Sequence, residues 1–352
     1  MRLFISISIA ATLIAFPALA DGDDFSKEEV YTKGETYVGQ TYIKFGFGGR
    51  YFDRDVKNGF GRAIDTASNG IVAATADRRF DFGSWGYAAE LAVYAPVDIE
   101  LFRSNIVVFD FEGSWIDDDF NENQAAVTGA FGIPFIDGAP RAGLTGIIAD
   151  VGNSFSTTVD LDYDRYSAFI GVGQKDEASS SKFGYGLYAS FSLLDIDGVF
   201  QNDQLAGINT TINEEVDTFS IGPRVFAKQS FEIAPGVEFY GGGSAAILFS
   251  RGELSGQQVF NENGPFGVAS LSDSETDVAF VVNAGAGLKF RPRENVLFSL
   301  FSEIEWRNDE YEVENPQYQP GEIFNTTPLT PARLEQTDSL SVTLGSKLVV
   351  VF

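Results

Sequence analysis

The chain has 352 residues, 24 Lys plus Arg against 50 Asp plus Glu, a formal net charge of −26, and neither His nor Cys. The charge argues against a nucleic-acid partner, which needs a basic footprint to displace counterions. The missing residue types exclude imidazole bases and pH switches, disulfides, thiolate nucleophiles and metals held by His or Cys.

Residues 1–20 read MRLFISISIAATLIAFPALA. A basic start at Arg2, an apolar stretch from Leu3 to Ala15 and the small-residue end Ala18-Leu19-Ala20 predict a signal peptide cleaved before Asp21. The stretch falls short of the ~20 residues a spanning helix needs. Residues 21–37 read as an acidic periplasmic tail, and 38–352 as the folded domain.

From there the chain alternates with period two, and Gly is 37 with aromatics 14%, a mixture that suits sheet. Ten segments follow: 38–52, 83–95, 99–116, 157–173, 182–195, 217–230, 237–251, 276–291, 296–308 and 338–352. Each matches or exceeds the ~9–11 residues of a bilayer-crossing strand. Long connections (53–82, 117–156, 196–216, 252–275, 309–337) alternate strictly with short ones (96–98, 174–181, 231–236, 292–295). Lipid offers no hydrogen bonds, so a spanning sheet must close on itself. The pattern predicts an all-β, transmembrane, antiparallel up-and-down barrel of ten strands, with long extracellular loops and short periplasmic turns. A soluble sandwich has no reason to sort its loops by side, and its strands run ~5–6 residues.

Two places leave the tracing open. Residues 125–149 could form a further hairpin and make twelve strands, and the apolar stretch 121–156 (Phe131, Ile133, Phe135, Ile136) could instead fold into the mouth and constrict it. In the fourth segment, Val159, Leu161 and Tyr163 are expected on the lipid side, and Arg165 breaks their parity, which a bulge would repair.

Trp85, Trp115 and Trp306 fall at the outer ends of their strands with lipid-facing parity, as an aromatic girdle requires. The last strand, SLSVTLGSKLVVVF, ends on Phe352, which looks like a signature read by the barrel-assembly machinery. Parity assigns to the lumen Glu90, Asp110, Glu112, Asp160, Asp162 and Asp164 as one acidic wall, and Lys44, Arg50, Arg224, Lys228, Lys289, Arg291 and Lys347 as basic arcs, with Glu303, Glu305 and Arg307 on one strand. Arg224, Asp160, Asp162, Glu303 and Glu305 form the expected charged middle. Such charges either set a field across a narrow passage or pair across a filled lumen.

The stretches TVDLDYDRYSAFIGV (158–172), FSIGPRVFAKQSFEIAPGVEFYGGGSAAILFSR (219–251) and the hairpin 278–306 ending in Glu305 and Trp306 resemble, in order and spacing, the Legionella-type major outer membrane protein family. The likeness runs from 158 to the C terminus, with Phe249 and Arg251 flanking Ser250 where Gly is expected. It implies a pore-forming barrel of the outer membrane. The sequence reading is therefore a porin-like barrel with a narrow charge-lined passage for small solutes, in contact with outer-membrane lipid and lipopolysaccharide. The alternative is a non-conducting structural or adhesive barrel acting through its loops. Neither a catalytic constellation, a cofactor nor a dedicated metal site is expected; Asp117, Asp118 and Asp119 read as solvated loop acids.

Overall fold

The computed structural model describes residues 41–56, 63–66, 71–76, 80–99, 104–124, 131–140, 147–149, 152–176, 181–205, 207–262, 265–293, 295–316, 318–323 and 326–352; the expected signal peptide and the 21–37 tail lie outside them. The strands are β1 (Tyr42–Val56), β2 (Ala63–Thr66), β3 (Val72–Ala76), β4 (Phe80–Ile99), β5 (Ser104–Gln124), β6 (Phe131–Gly132), β7 (Ile147–Ala149), β8 (Phe155–Asp176), β9 (Ser181–Asn202), β10 (Ile208–Ala234), β11 (Val237–Glu262), β12 (Pro265–Arg293), β13 (Val296–Glu314) and β14 (Arg333–Val351).

Ten of these form one closed barrel in the order β1-β14-β13-β12-β11-β10-β9-β8-β5-β4, every neighbour antiparallel. The seam is β1 against β14, with Tyr42 opposite Val351, and it is continued by the Phe352 amide donating to the Thr41 carbonyl at 2.9 Å. Closure leaves no sheet edge to be satisfied by solvent. The two remaining hairpins, β2–β3 and β6–β7, are separate two-stranded sheets, so the barrel has ten strands and not twelve.

The short connections lie at the end of the barrel that also carries Thr41 and Phe352. Between β10 and β11 the turn is Pro235-Gly236, where Gly236 has φ +75°, a left-handed conformation that glycine adopts without strain. The Gly236 amide donates to the Glu232 carboxylate at 3.1 Å.

At the other end the strands run on where loops were expected. β10 has 27 residues and β12 has 29, so 196–216 and 252–275 are almost entirely strand. The reason is a reversal of polarity along single strands. On β11, Ile247 and Phe249 are exposed over buried Ala246 and Leu248. Beyond them Arg251 and Glu253 take the exposed face, and Leu254 and Phe260 are buried. β10 repeats the switch: Phe219 and Val225 face out in one half, Asn213 and Glu215 in the other, where Ile212 and Val216 point in. An apolar face belongs wherever water is absent, which is outside the first half of the barrel and inside the second.

Arg165 needs no bulge. β8 runs in unbroken register against both β5 and β9. Val159, Leu161 and Tyr163, expected on lipid, are buried inside with at most 4% exposed, and the acids between them face out.

Candidate functional site

The interior of the barrel is built in three layers. The middle one is a belt of charges that spans the cross-section. Arg50 on β1 pairs with Glu112 on β5, and its Nε donates to Thr343 Oγ1 on β14 at 2.8 Å. Arg165 on β8 is 2% exposed; its Nη1 lies 2.7 Å from Glu305 Oε1 on β13 and its Nη2 3.4 Å from Glu112 Oε1. Arg307 approaches the same Glu305 oxygen at 3.6 Å, and its Nη2 donates to Asp309 Oδ2 at 2.6 Å. Tyr163 donates to Glu310 Oε1 at 2.6 Å, and Ser190 on β9 donates to Asp309 Oδ2 at 3.2 Å.

The local cause is a bulge. The register of β13 against β14 shifts between Arg307 and Glu310, so that Asp309 and Glu310, adjacent in sequence, are both buried. Three arginines thus meet four carboxylates in a nearly dry layer. Buried charges persist only when paired and hydrogen-bonded in this way.

The second layer lies between this belt and the short-turn end. It is a cavity of about 200 Å³ lined by Lys44, Lys182, Arg224, Lys228, Lys289 and Lys347 together with Glu90, Asp110 and Glu303. Lys44 pairs with Glu90, and Lys347 Nζ lies 2.7 Å from the other Glu90 oxygen. Arg224 is placed by the triplet Gly222-Pro223-Arg224. Pro223 has no amide to donate, and pairing with β11 is interrupted at these two residues without loss of register, from Ile221 opposite Phe249 to Arg224 opposite Ala246. A Cβ on Gly222 would lie 2.0 Å from the Ile247 carbonyl oxygen, so only glycine allows that approach. Arg224 then turns inward, donating from Nε to Ser244 Oγ at 2.9 Å.

The third layer fills the mouth. Val159, Leu161, Tyr163, Leu194, Ile196, Phe200, Ile212, Val216, Leu254 and Phe260 pack as one apolar core with Ile133, Phe135 and Ile136 from the β6 side. The Ile136 amide donates to Gln258 Oε1 at 2.8 Å and its carbonyl accepts from the Ala332 amide at 2.8 Å. The expectation that the 121–156 stretch enters the mouth thus describes residues 132–138, which are buried there apart from half-buried Asp137.

Of the charges expected in the lumen, Glu90, Asp110, Glu112, Arg224, Glu303, Glu305 and Lys347 point inward. Asp160 and Asp162 do not, nor does Asp164. They lie on the outer wall of the mouth half, with Asp162 opposite Asp117 and Asp195, and Asp160 opposite Asp119 and Asp197. The error is one of parity: their apolar neighbours face a dry core rather than lipid. Asp309, Glu310 and Tyr163 were not expected. Parity alone continues from Arg307 to Asp309, whereas Glu310 needs the bulge. On the outer wall, Trp85 and Trp115 are exposed, Trp115 Nε1 donates to the Tyr166 hydroxyl at 3.0 Å, and Trp306 Nε1 donates to Asp338 at 3.2 Å. Phe352 is 71% exposed.

No protein-family model matches the chain, and no curated protein does. Among solved structures, the outer membrane protease OmpT of Escherichia coli is 9% identical over 90% of this chain and 97% of its own, with a TM-score of 0.46. The Pseudomonas putida toluene transporter TodX is 9% identical over 88% of this chain and 89% of its own, at 0.30. The attachment invasion locus protein Ail of Yersinia pestis is 13% identical over 88% of this chain and 98% of its own, at 0.23.

Proposed function

We propose that this chain is a bacterial outer-membrane barrel that is closed at rest and works through the part of its wall that stands above the membrane. One observation carries the reading: the polarity of the wall reverses partway along β8, β9, β10 and β11. Below the reversal, exposed Phe, Ile, Leu and Val cover the outer face over about the ten residues that a crossing strand needs. Above it the outer face of these strands is polar, acidic on β8 and β9, and the inside is an apolar core. A barrel embedded to the level of the switch, short turns in the periplasm, satisfies both solvents at once.

The rows Asp117, Asp162, Asp195, Glu215 and Asp119, Asp160, Asp197 then face water just above the headgroups. Carboxylates so placed suit divalent ions shared with lipopolysaccharide phosphates, or a cationic surface partner. A static porin-like passage fits less well, because the apolar core and the charged belt both lie across the lumen. The cavity on the periplasmic side favours a second reading, a passage for small solutes that opens only when the mouth segment leaves.

Purified protein in a planar bilayer separates the two. The closed reading expects no stepwise conductance from the full chain; regular open-channel steps without any trigger would overturn it.

A further inference from the structure

We propose that the cavity at the short-turn end is a binding site for a small organic anion carried on a flat ring, of the aryl phosphate or aromatic carboxylate class, taken up from the periplasmic side. It goes beyond the closed-barrel reading. The cavity lies on the far side of the charged belt from the mouth, so a conductance result does not decide it.

The first support is charge. Six cationic side chains line the cavity against three carboxylates, and Glu90 alone already serves both Lys44 and Lys347. Lys182, Arg224 and Lys228 have no ion pair among the described residues. Lys182 donates to the Tyr42 hydroxyl at 2.9 Å, Arg224 uses only Nε, on Ser244, and Lys228 sits 4.7 Å from the centre of the Tyr240 ring. The Tyr240 hydroxyl is itself buried without a hydrogen-bond partner among the described residues. Half-buried cations with no carboxylate within ion-pair distance are costly, and a ligand bearing one or two negative charges would relieve that cost.

The second support is shape. Tyr42 and Tyr94 stack at 4.4 Å and 10°, and Lys182 lies over both rings. Phe169 and Phe226 meet edge to face, with Arg224 over Phe169. Flat apolar walls beside cations that lack anions select a ring bearing a charged group. The room, about 200 Å³, is below the range of drug-sized sites and suits one ring rather than an acyl chain.

The test uses the full mature chain in micelles with uncharged headgroups, titrated by calorimetry with phenyl phosphate and benzoate. Inorganic phosphate, benzyl alcohol and phenyl glucoside are the controls. Phenyl phosphate should bind at least tenfold tighter than any control and weaken as NaCl rises. Lys228→Gln and Arg224→Gln, each checked for folding by its heat-modifiable gel mobility, should each lose tenfold or more. The proposal is overturned if phenyl phosphate shows no binding at millimolar concentration, or if folded variants bind it as the natural chain does. Equal affinity for phenyl phosphate and phenyl glucoside in the natural chain overturns it without recourse to any variant.

Discussion

Truncating Arg165 tests the charged belt most directly. Its guanidinium is 2% exposed and holds Glu305 at 2.7 Å and Glu112 at 3.4 Å. In Arg165→Ala, Glu305 keeps only the 3.6 Å approach of Arg307 within the belt, and two arginines are left facing four carboxylates. Breaking a buried pair by removing one partner costs about 3–5 kcal/mol, since the stranded charge stays in a poor solvent. That is roughly 10²- to 10³·⁵-fold in the folding equilibrium. Urea unfolding in lipid vesicles, followed by the fluorescence of the three outward-facing tryptophans, measures it. The double variant Arg165→Ala, Glu305→Gln removes the stranded charge and should recover more than half of the loss. If the single variant loses less than about 1 kcal/mol, or the double variant is no better, the belt is not a mutually paired network. Neither variant should conduct, because the apolar core above the belt is untouched.

Other expectations follow from the mouth half. Burial pushes the Glu214 carboxyl, inside the mouth half of the barrel, from its ordinary 4.5 up to about 7. An acid with a raised folded pKa binds more protons folded than unfolded, so stability is gained as pH falls from about 7 towards 4.5 and is lost again on the way up. The swing is about 3 kcal/mol, and Glu214→Gln should abolish it in unfolding titrations between pH 4.5 and 8. Partial burial, then neighbouring carboxylates, hold Asp162 and Asp195 above the usual range on the outer wall. Like charges directly opposite one another repel. Magnesium or calcium at millimolar concentration should therefore raise the melting temperature by more than NaCl of equal ionic strength, and Asp162→Asn with Asp195→Asn should erase that difference. Deleting 125–148 removes Ile133, Phe135 and Ile136 from the core; brief conductance steps in a planar bilayer would support the gated reading, and continued silence would count against it.

The half with the apolar outer face is legible because a continuous apolar surface imposes one unbroken phase. Phe280, Val282, Leu288 and Phe290 had to share a face on β12, and Leu340, Val342, Leu344 and Leu348 had to share one on β14; both sets face out. The mouth half obeys the same period with the opposite phase. A reading that ties apolar residues to lipid therefore cuts the strands short and turns Asp160 and Asp162 inward. DLDYD contains the clue: three acids alternating with apolar residues and with each other's parity read as a wall between water and a dry interior once lipid is no longer assumed. The bulge that brings Asp309 and Glu310 in together has no such signal, because it depends on the register of a strand far away in sequence.

The reversal of polarity also constrains how the protein can reach its place. In the proposed orientation β5, β8 and β9 carry a row of outward carboxylates in the half that must emerge on the far side. Asp117, Asp119, Asp160, Asp162, Asp195 and Asp197 would all traverse hydrocarbon if hairpins threaded in one by one, each at a penalty of several kcal/mol or more. On that reading, strands that cross as a rolled, largely paired sheet avoid the penalty, and the row of acids, once across, opposes sliding back.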